Sequence, residues 1–168
     1  MVRAVIGLQP RSLSWILPHR LAIGERPGGY GTTHRRIRRE EEITWLKKQG
    51  FVAVVSLLPG TNNLQAYDEA GLRFFHLPVT WDDVESRLDA IFRELDQVAL
   101  REESKTYVHG DDVDDLLVGI CGAYMLHLGL VQNHPSAVAT IEAATGRPLG
   151  PEGRAIVASV VVGEPRTT

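Results

Sequence analysis

The run KTYVHGDDVDDLL, Lys105 to Leu117, holds the residues of this chain best suited to chemistry: a histidine, a glycine and four aspartates, set between an apolar strand pattern and an apolar helical one. At such a strand–loop–helix junction the first backbone N–H groups of the helix have no intrahelical partner and point into the loop. An anion or a metal ion binds readily there. This loop brings carboxylates instead of a nucleophile and glycines. Asp111, Asp112, Asp114 and Asp115 are oxygen ligands of the kind that Mg²⁺, Ca²⁺ or Mn²⁺ takes, so a divalent cation is one occupant to test. A plainer use competes with it, because each acidic group in a helix's first turn is favoured by about 0.3–1 kcal/mol against the helix dipole. One or two carboxylates would satisfy that role, whereas four crowded together repel one another.

Other candidates are weaker. Asp82 and Asp83 precede a helical pattern beginning near Val84 and read as its caps. Cys121 lies well inside the helical pattern after the aspartates, beside Gly122 and Ala123, where a small core residue is expected. His34, Arg35, Arg36, Arg38 and Arg39 form a basic run followed by Glu40, Glu41 and Glu42. At helical spacing Arg36 can pair with Glu40 and Arg38 with Glu42, which reads as a solvated, salt-bridged face. The sharper reading is a docking patch for an acidic or phosphorylated protein partner. No aromatics are interleaved with the basic residues as a single-stranded nucleic-acid surface requires.

The elements that position these residues follow from the hydrophobic pattern. Runs rich in Val, Phe and Leu at 51–58 and 72–77, with a shorter one at 105–109, alternate with segments of helical period. That alternation predicts an α/β fold with a central, mostly parallel sheet flanked by helices. A first helix is expected over His34–Gln49 with Gly50 as its stop, and Asn62 and Asn63 are placed to cap a short helix reaching Ala70. Val84, Leu88, Ile91, Phe92, Leu95 and Val98 fall on one helical face, and Val113, Leu116, Leu117, Ile120, Tyr124 and Leu128 on another. Two more helices are expected near 135–145 and 151–162. The first dozen residues and the last six are the candidates for disorder.

With 168 residues the chain reads as one domain with its core over about 13–162, large enough to need no disulfide or metal staple. A net charge of −3 gives no general attraction to nucleic acid or to anionic membranes. The single cysteine excludes an intramolecular disulfide and any multi-cysteine metal site, which fits a cytoplasmic protein. No segment approaches the roughly 20 apolar residues of a membrane helix. The N-terminal AVIGLQP is too short for a signal-peptide core.

Beyond these readings the layout resembles the dual-specificity branch of the protein tyrosine phosphatases over roughly Trp15 to Val157. WILPHRLAIGERPG (Trp15–Gly28) is similar to that family's opening strand pair with its Arg-Pro phrase, and FVAVVSLLPG (Phe51–Gly60) to its second core strand. LRFFHLPV (Leu72–Val79) is similar to the strand before the general-acid loop, and HPSAVATIEAATGRPLGPEG (His134–Gly153) to the late helix and Arg-Pro segment. The resemblance implies a loop of the form His-Cys-x-x-Gly-x-x-Arg-Ser/Thr-Gly after a strand. Val108 and His109 match its lead-in, but Gly110 stands at the cysteine, Val113 at the glycine, Leu116 at the arginine, Leu117 at the hydroxyl residue and Val118 at the last glycine. The general-acid position, three residues after Pro78, is Trp81, with Asp82 and Asp83 directly following. Arg26 and Arg147, each before a proline, match positions near the mouth of the family's site, and His109 matches its loop-orienting histidine.

Glycine cannot attack phosphorus, and leucine cannot replace the bidentate guanidinium fork. Each loop carboxylate about 6 Å from a phosphate charge would oppose it by roughly 0.7 kcal/mol in water and about 3 kcal/mol at an effective dielectric of 20. The resemblance therefore implies a pseudophosphatase, catalytically inactive, used for binding or regulation of a protein or phosphorylated partner. One alternative is a metal-dependent hydrolase that reuses the aspartates, since Asp112-Val-Asp114 also resembles the paired aspartates of metal-dependent phosphotransferases. Another is an active phosphatase in which the loop aligns differently, although no His-Cys pair occurs anywhere in the chain.

Overall fold

A computed structural model describes residues 7–101 and 104–165. Among them five strands and six α-helices follow in the order β1 (Ser14–Leu17), β2 (Leu21–Gly24), α1 (Arg36–Lys48), β3 (Phe51–Ser56), α2 (Leu64–Glu69), β4 (Arg73–His76), α3 (Val84–Ala99), β5 (Lys105–His109), α4 (Asp115–His127), α5 (His134–Thr145) and α6 (Pro151–Ala158). The chain divides into two compact units. The first runs to Pro78 and again from Gln97 to Val113; the second comprises Val79–Asp96 and the chain from Asp114 onward.

All five strands lie in the first unit and form one sheet of order β1-β2-β5-β3-β4. β1 is antiparallel to β2 and every other pairing is parallel, so the expected mostly parallel sheet is present. β5 is central, with His109 registered against Gly24 of β2 on one side and Ser56 of β3 on the other. β3 is buried apart from the exposed Val52, and β5 is buried from Thr106 to His109. The core beside the sheet joins Ala22, Phe51, Val54 and Tyr107 to Ile43 and Leu46 of α1 and to Tyr67 and Leu72. Trp15 stacks on Phe51 with ring centroids 5.6 Å apart. Phe51 in turn meets Tyr107 edge-on at 6.1 Å. Both arrangements suit the quadrupoles of the rings.

Gly50 stops α1 as expected, with a positive φ of +87°. A side chain would be strained there. Asn63 precedes α2 as expected, yet its side chain caps nothing. Its Nδ2 instead donates to the Pro27 carbonyl at 2.8 Å. The Arg36–Glu40 pair forms at 2.9 Å on an exposed face. Arg38 also reaches Glu42, but not on a solvated face: the Glu42 side chain is fully buried and Arg38 also meets Glu25 at 3.1 Å.

In the second unit α4 is the centre. Every residue from Leu117 to Leu126 is buried, so the helix is covered all round instead of along a single stripe. Leu116, expected in the core, is only half-buried. Gly119 allows α6 to approach: a Cβ there would lie 3.0 Å from the Gly153 backbone. α5 is capped by Asn133, whose Oδ1 accepts from Ser136 N–H at 2.8 Å. It ends at Gly146 in the left-handed conformation.

Of the termini expected to be disordered, residues 1–6 and 166–168 lie outside the described residues. The described parts are bonded in. Leu8 N–H donates to the Glu41 carbonyl at 3.1 Å, Glu25 N–H to Arg11 at 3.1 Å, and Gly163 N–H to Leu126 at 2.8 Å.

Candidate functional site

The end of β5 delivers His109 into a closed polar network. The residue is fully buried. Its Nε2 lies 2.7 Å from the Tyr67 hydroxyl and its Nδ1 2.7 Å from the Gly110 carbonyl. Burial drives its pKa down to about 4, against a partial rise from the Gly110 bond. The imidazole is therefore neutral at physiological pH. Burial likewise raises the Tyr67 phenol well above its ordinary value. The carbonyl of His109 accepts from Leu57 N–H at 2.9 Å. These bonds fix where the chain leaves the sheet.

The segment after β2 is fixed as firmly. The Glu25 carbonyl accepts from the Tyr107 hydroxyl at 2.6 Å, Gly28 N–H donates to the Glu42 carboxylate at 2.8 Å, and the Pro27 carbonyl accepts from Asn63. Burial pulls Arg38 toward losing its proton, but the Glu42 and Glu25 carboxylates more than offset this and the net shift is upward. Burial pushes Glu42 up, with the Gly28 and Arg38 bonds acting against it. The result is an anchored turn that holds Arg26, whose side chain is 10% exposed, with its Nε donating to the Gly29 carbonyl at 3.2 Å.

The two segments meet through Asp111. Arg26 N–H donates to the Asp111 carbonyl at 3.2 Å, Arg26 Nη1 lies 3.3 Å from Oδ1, and Gly31 N–H reaches both carboxylate oxygens at 3.3 and 3.1 Å. His34 and Arg39 stand near this turn. A Cβ on Gly28 would overlap the His34 imidazole and lie 2.9 Å from Arg39 Cβ. Both His34 Nε2 and Arg39 Nε are sealed from solvent without a partner in hydrogen-bond geometry. Burial, then the charges of Arg26 and Arg39, hold the His34 pKa below its usual value, against a partial rise from its interactions with Asn63 and the Pro27 carbonyl.

The four aspartates do not act as one cluster. Asp111 belongs to Arg26 and Gly31, and Asp112 Oδ1 accepts from Val113 N–H at 2.7 Å. Asp114 caps α4, accepting from Leu117 N–H at 3.0 Å. Asp115 pairs with Arg147 at 3.5 Å, and Gly150 leaves room for its carboxylate. Among the described residues no group of three or more His, Cys, Asp or Glu side chains is placed to hold a metal ion. Val113, the loop's apolar member, is buried.

In the second unit Asp83 stands directly before α3, and its carbonyl accepts from Arg87 N–H at 3.1 Å. Its carboxylate turns backward to Thr80, accepting from the N–H at 2.8 Å and Oγ1 at 3.2 Å. Asp82 is exposed and lines an open depression with Trp81, Glu85 and Glu152. Cys121 is buried, its thiol pushed up to about 12 by burial. That leaves it no thiolate character.

Solved structures decide the fold. Kinase-associated phosphatase, carrying a serine in place of its catalytic-site cysteine, superposes with a TM-score of 0.71 at 17% identity, over 89% of this chain and 93% of that one. This chain has the protein tyrosine phosphatase fold. Tk-PTP in its active form matches with a TM-score of 0.67 at 20% identity, over 89% of this chain and 96% of its own. Human DUSP28 matches with a TM-score of 0.65 at 16% identity, over 90% and 95%. No protein-family model and no curated protein sequence matches the chain. At these identities the likeness shows the dual-specificity type of fold and not an activity.

His109, Arg26 and all four aspartates are recognisable as candidates in the sequence. The closure of Asp111 onto Arg26 and Gly31 is not, nor is the bracing of the turn by Tyr67 and by Glu25, which joins the expected Arg38–Glu42 pair. The Arg-Pro phrase marks Arg26, but nothing local to Asp111 marks a partner eighty positions earlier in the chain.

Proposed function

We propose that this protein is a catalytically inactive phosphatase-fold protein that serves as a binding or regulatory module. One observation carries the reading: β5 of this fold ends on Val108 and His109, and the next residue is Gly110, with Leu116 where the family's arginine falls. The fold's chemistry needs a nucleophile to accept the phosphoryl group and a fork of donors to hold its oxygens. Gly110 has no side chain, and Leu116 has no donor. Cys121 offers no substitute, being buried with its proton held tightly.

The partner is a protein, with the exposed Arg35 and Arg36 of the α1 region as the basic surface toward an acidic or phosphorylated segment. The free lone cysteine supports a reducing, cytoplasmic setting. No helix among the described residues is long and apolar enough to cross a membrane.

The test is steady-state hydrolysis of an aryl phosphate by the purified chain, in chelator and then with Mg²⁺, Mn²⁺ or Ca²⁺. No turnover in any condition is expected. Metal-dependent turnover lost in Asp114→Asn would replace this reading with a hydrolase built on the aspartates.

A further inference from the structure

In this structure the Asp111 carboxylate sits against the Arg26 guanidinium and the Gly31 amide. We propose that Arg26 and the Gly31 amide form a binding site for a phosphate-class dianion, with Asp111 as its resident occupant, so that an external phosphate binds only in exchange for Asp111.

Four observations support this. The guanidinium is the inner wall and the carboxylate the outer plug: the Arg26 side chain is 10% exposed and that of Asp111 45%. Released, Asp111 would return to water it already partly faces. Second, the cationic side is preorganised, since Tyr107, Glu42 and Asn63 each hold one backbone group of the Glu25–Gly28 segment. A preformed donor set loses little to ordering when a ligand arrives. Third, the fit of the carboxylate is loose. Its contacts lie at 3.1 Å and 3.3 Å. Charge-assisted bonds are usually shorter, about 2.7–2.9 Å. Only Oδ1 reaches Arg26, whereas both oxygens share the one Gly31 amide; a tetrahedral dianion has further oxygens for the fork.

Fourth, Asp111 completes the charge balance of the turn. Arg26 and Arg39 both act on His34, and the Nε atom of Arg39 is buried without a partner in hydrogen-bond geometry. Against Arg26, Arg38 and Arg39 stand Asp111 at the mouth of the turn and Glu25 and Glu42 behind it, the latter two bonded to Arg38. Removing Asp111 therefore exposes a positive seat and deletes the charge that repels a dianion. This inference does not rest on the loss of activity: turnover by the unaltered chain would overturn the inactive reading and leave it standing.

The experiment follows the Gly31 amide signal by NMR as inorganic phosphate, or O-phosphotyrosine, is titrated into the full chain at constant ionic strength. The expected result is a saturable shift in Asp111→Ala and Asp111→Asn, at least ~10-fold tighter than in the unaltered chain. Adding Arg26→Met to either variant is expected to abolish it. Asp111→Asn, nearly isosteric, keeps the test valid if the alanine variant folds poorly. Tighter phosphotyrosine would identify a phosphorylated side chain as the ligand, and tighter inorganic phosphate the free ion. No saturable shift in a folded Asp111 variant, a shift that survives Arg26→Met, or equal affinity in the unaltered chain would overturn the proposal.

Discussion

His109 carries no charge in the folded protein, because its buried ring sits between the Tyr67 hydroxyl and the Gly110 carbonyl with a pKa of about 4. In the unfolded chain the same ring titrates near about 6.5. Between these values the unfolded chain binds a proton that the folded one refuses, so stability falls as pH drops from about 6.5 toward 4 and is flat in this contribution above and below. The loss approaches about 3 kcal/mol. Urea unfolding at pH 7 and pH 4.5 is expected to show a steep decline that His109→Gln flattens; an identical decline in that variant would remove His109 as its source. Cys121 is expected to resist thiol reagents in the native state and to react fully once denatured, a contrast that a colorimetric thiol assay reads directly. The ion pairs of α1 are legible in the sequence because four-residue spacing on a helix is a local rule. Arg26 with Asp111 is not, since only the folded sheet brings the end of β2 beside the end of β5.

At the scale of elements, the strands and helices follow the hydrophobic periods closely, and the departures have physical causes. Asn63 has the residue type and place of a cap for α2, but the Pro27 carbonyl claims its amide. The one-faced pattern read for α4 understates its burial, because small residues such as Gly119, Gly122 and Ala123 between the large ones carry no strong apolar signal yet are fully covered. In Gly119→Ala the new Cβ would press on the Gly153 backbone. That variant is expected to destabilise by about 1 kcal/mol or more, overpacking outweighing the gain in helix propensity. Leu117, buried in the same helix, is the complementary case. Leu117→Ala should cost about 2–5 kcal/mol through the cavity it leaves, read by chemical denaturation. In the first unit, Arg38→Ala strands the Glu42 and Glu25 carboxylates in a buried site. A loss of about 3–5 kcal/mol is expected, and restoration by also replacing Glu42 with Gln would identify the unpaired charge as the cause.

At the scale of the molecule, fold and function separate. A parallel sheet with alternating helices is readable from apolar runs, and the solved phosphatases share it at 16%, 17% and 20% identity. Packing needs only apolar residues of suitable size at the right period. Activity has no such tolerance, since single atoms carry it. What the sequence does show of the site is that Gly110, and not a cysteine, follows His109. What it cannot show is how the aspartates are disposed, because each finds a different partner only in the folded chain. No residue of this chain is expected to take up a phosphoryl group. The most direct measurement mixes an aryl phosphate with excess purified protein, quenches in acid, and weighs the intact chain by mass spectrometry while free phosphate is counted. An unshifted mass and no phosphate release over hours are expected. A phosphorylated chain, or phosphate release that vanishes when a single loop aspartate becomes asparagine, would make this chain a phosphoryl-transfer enzyme.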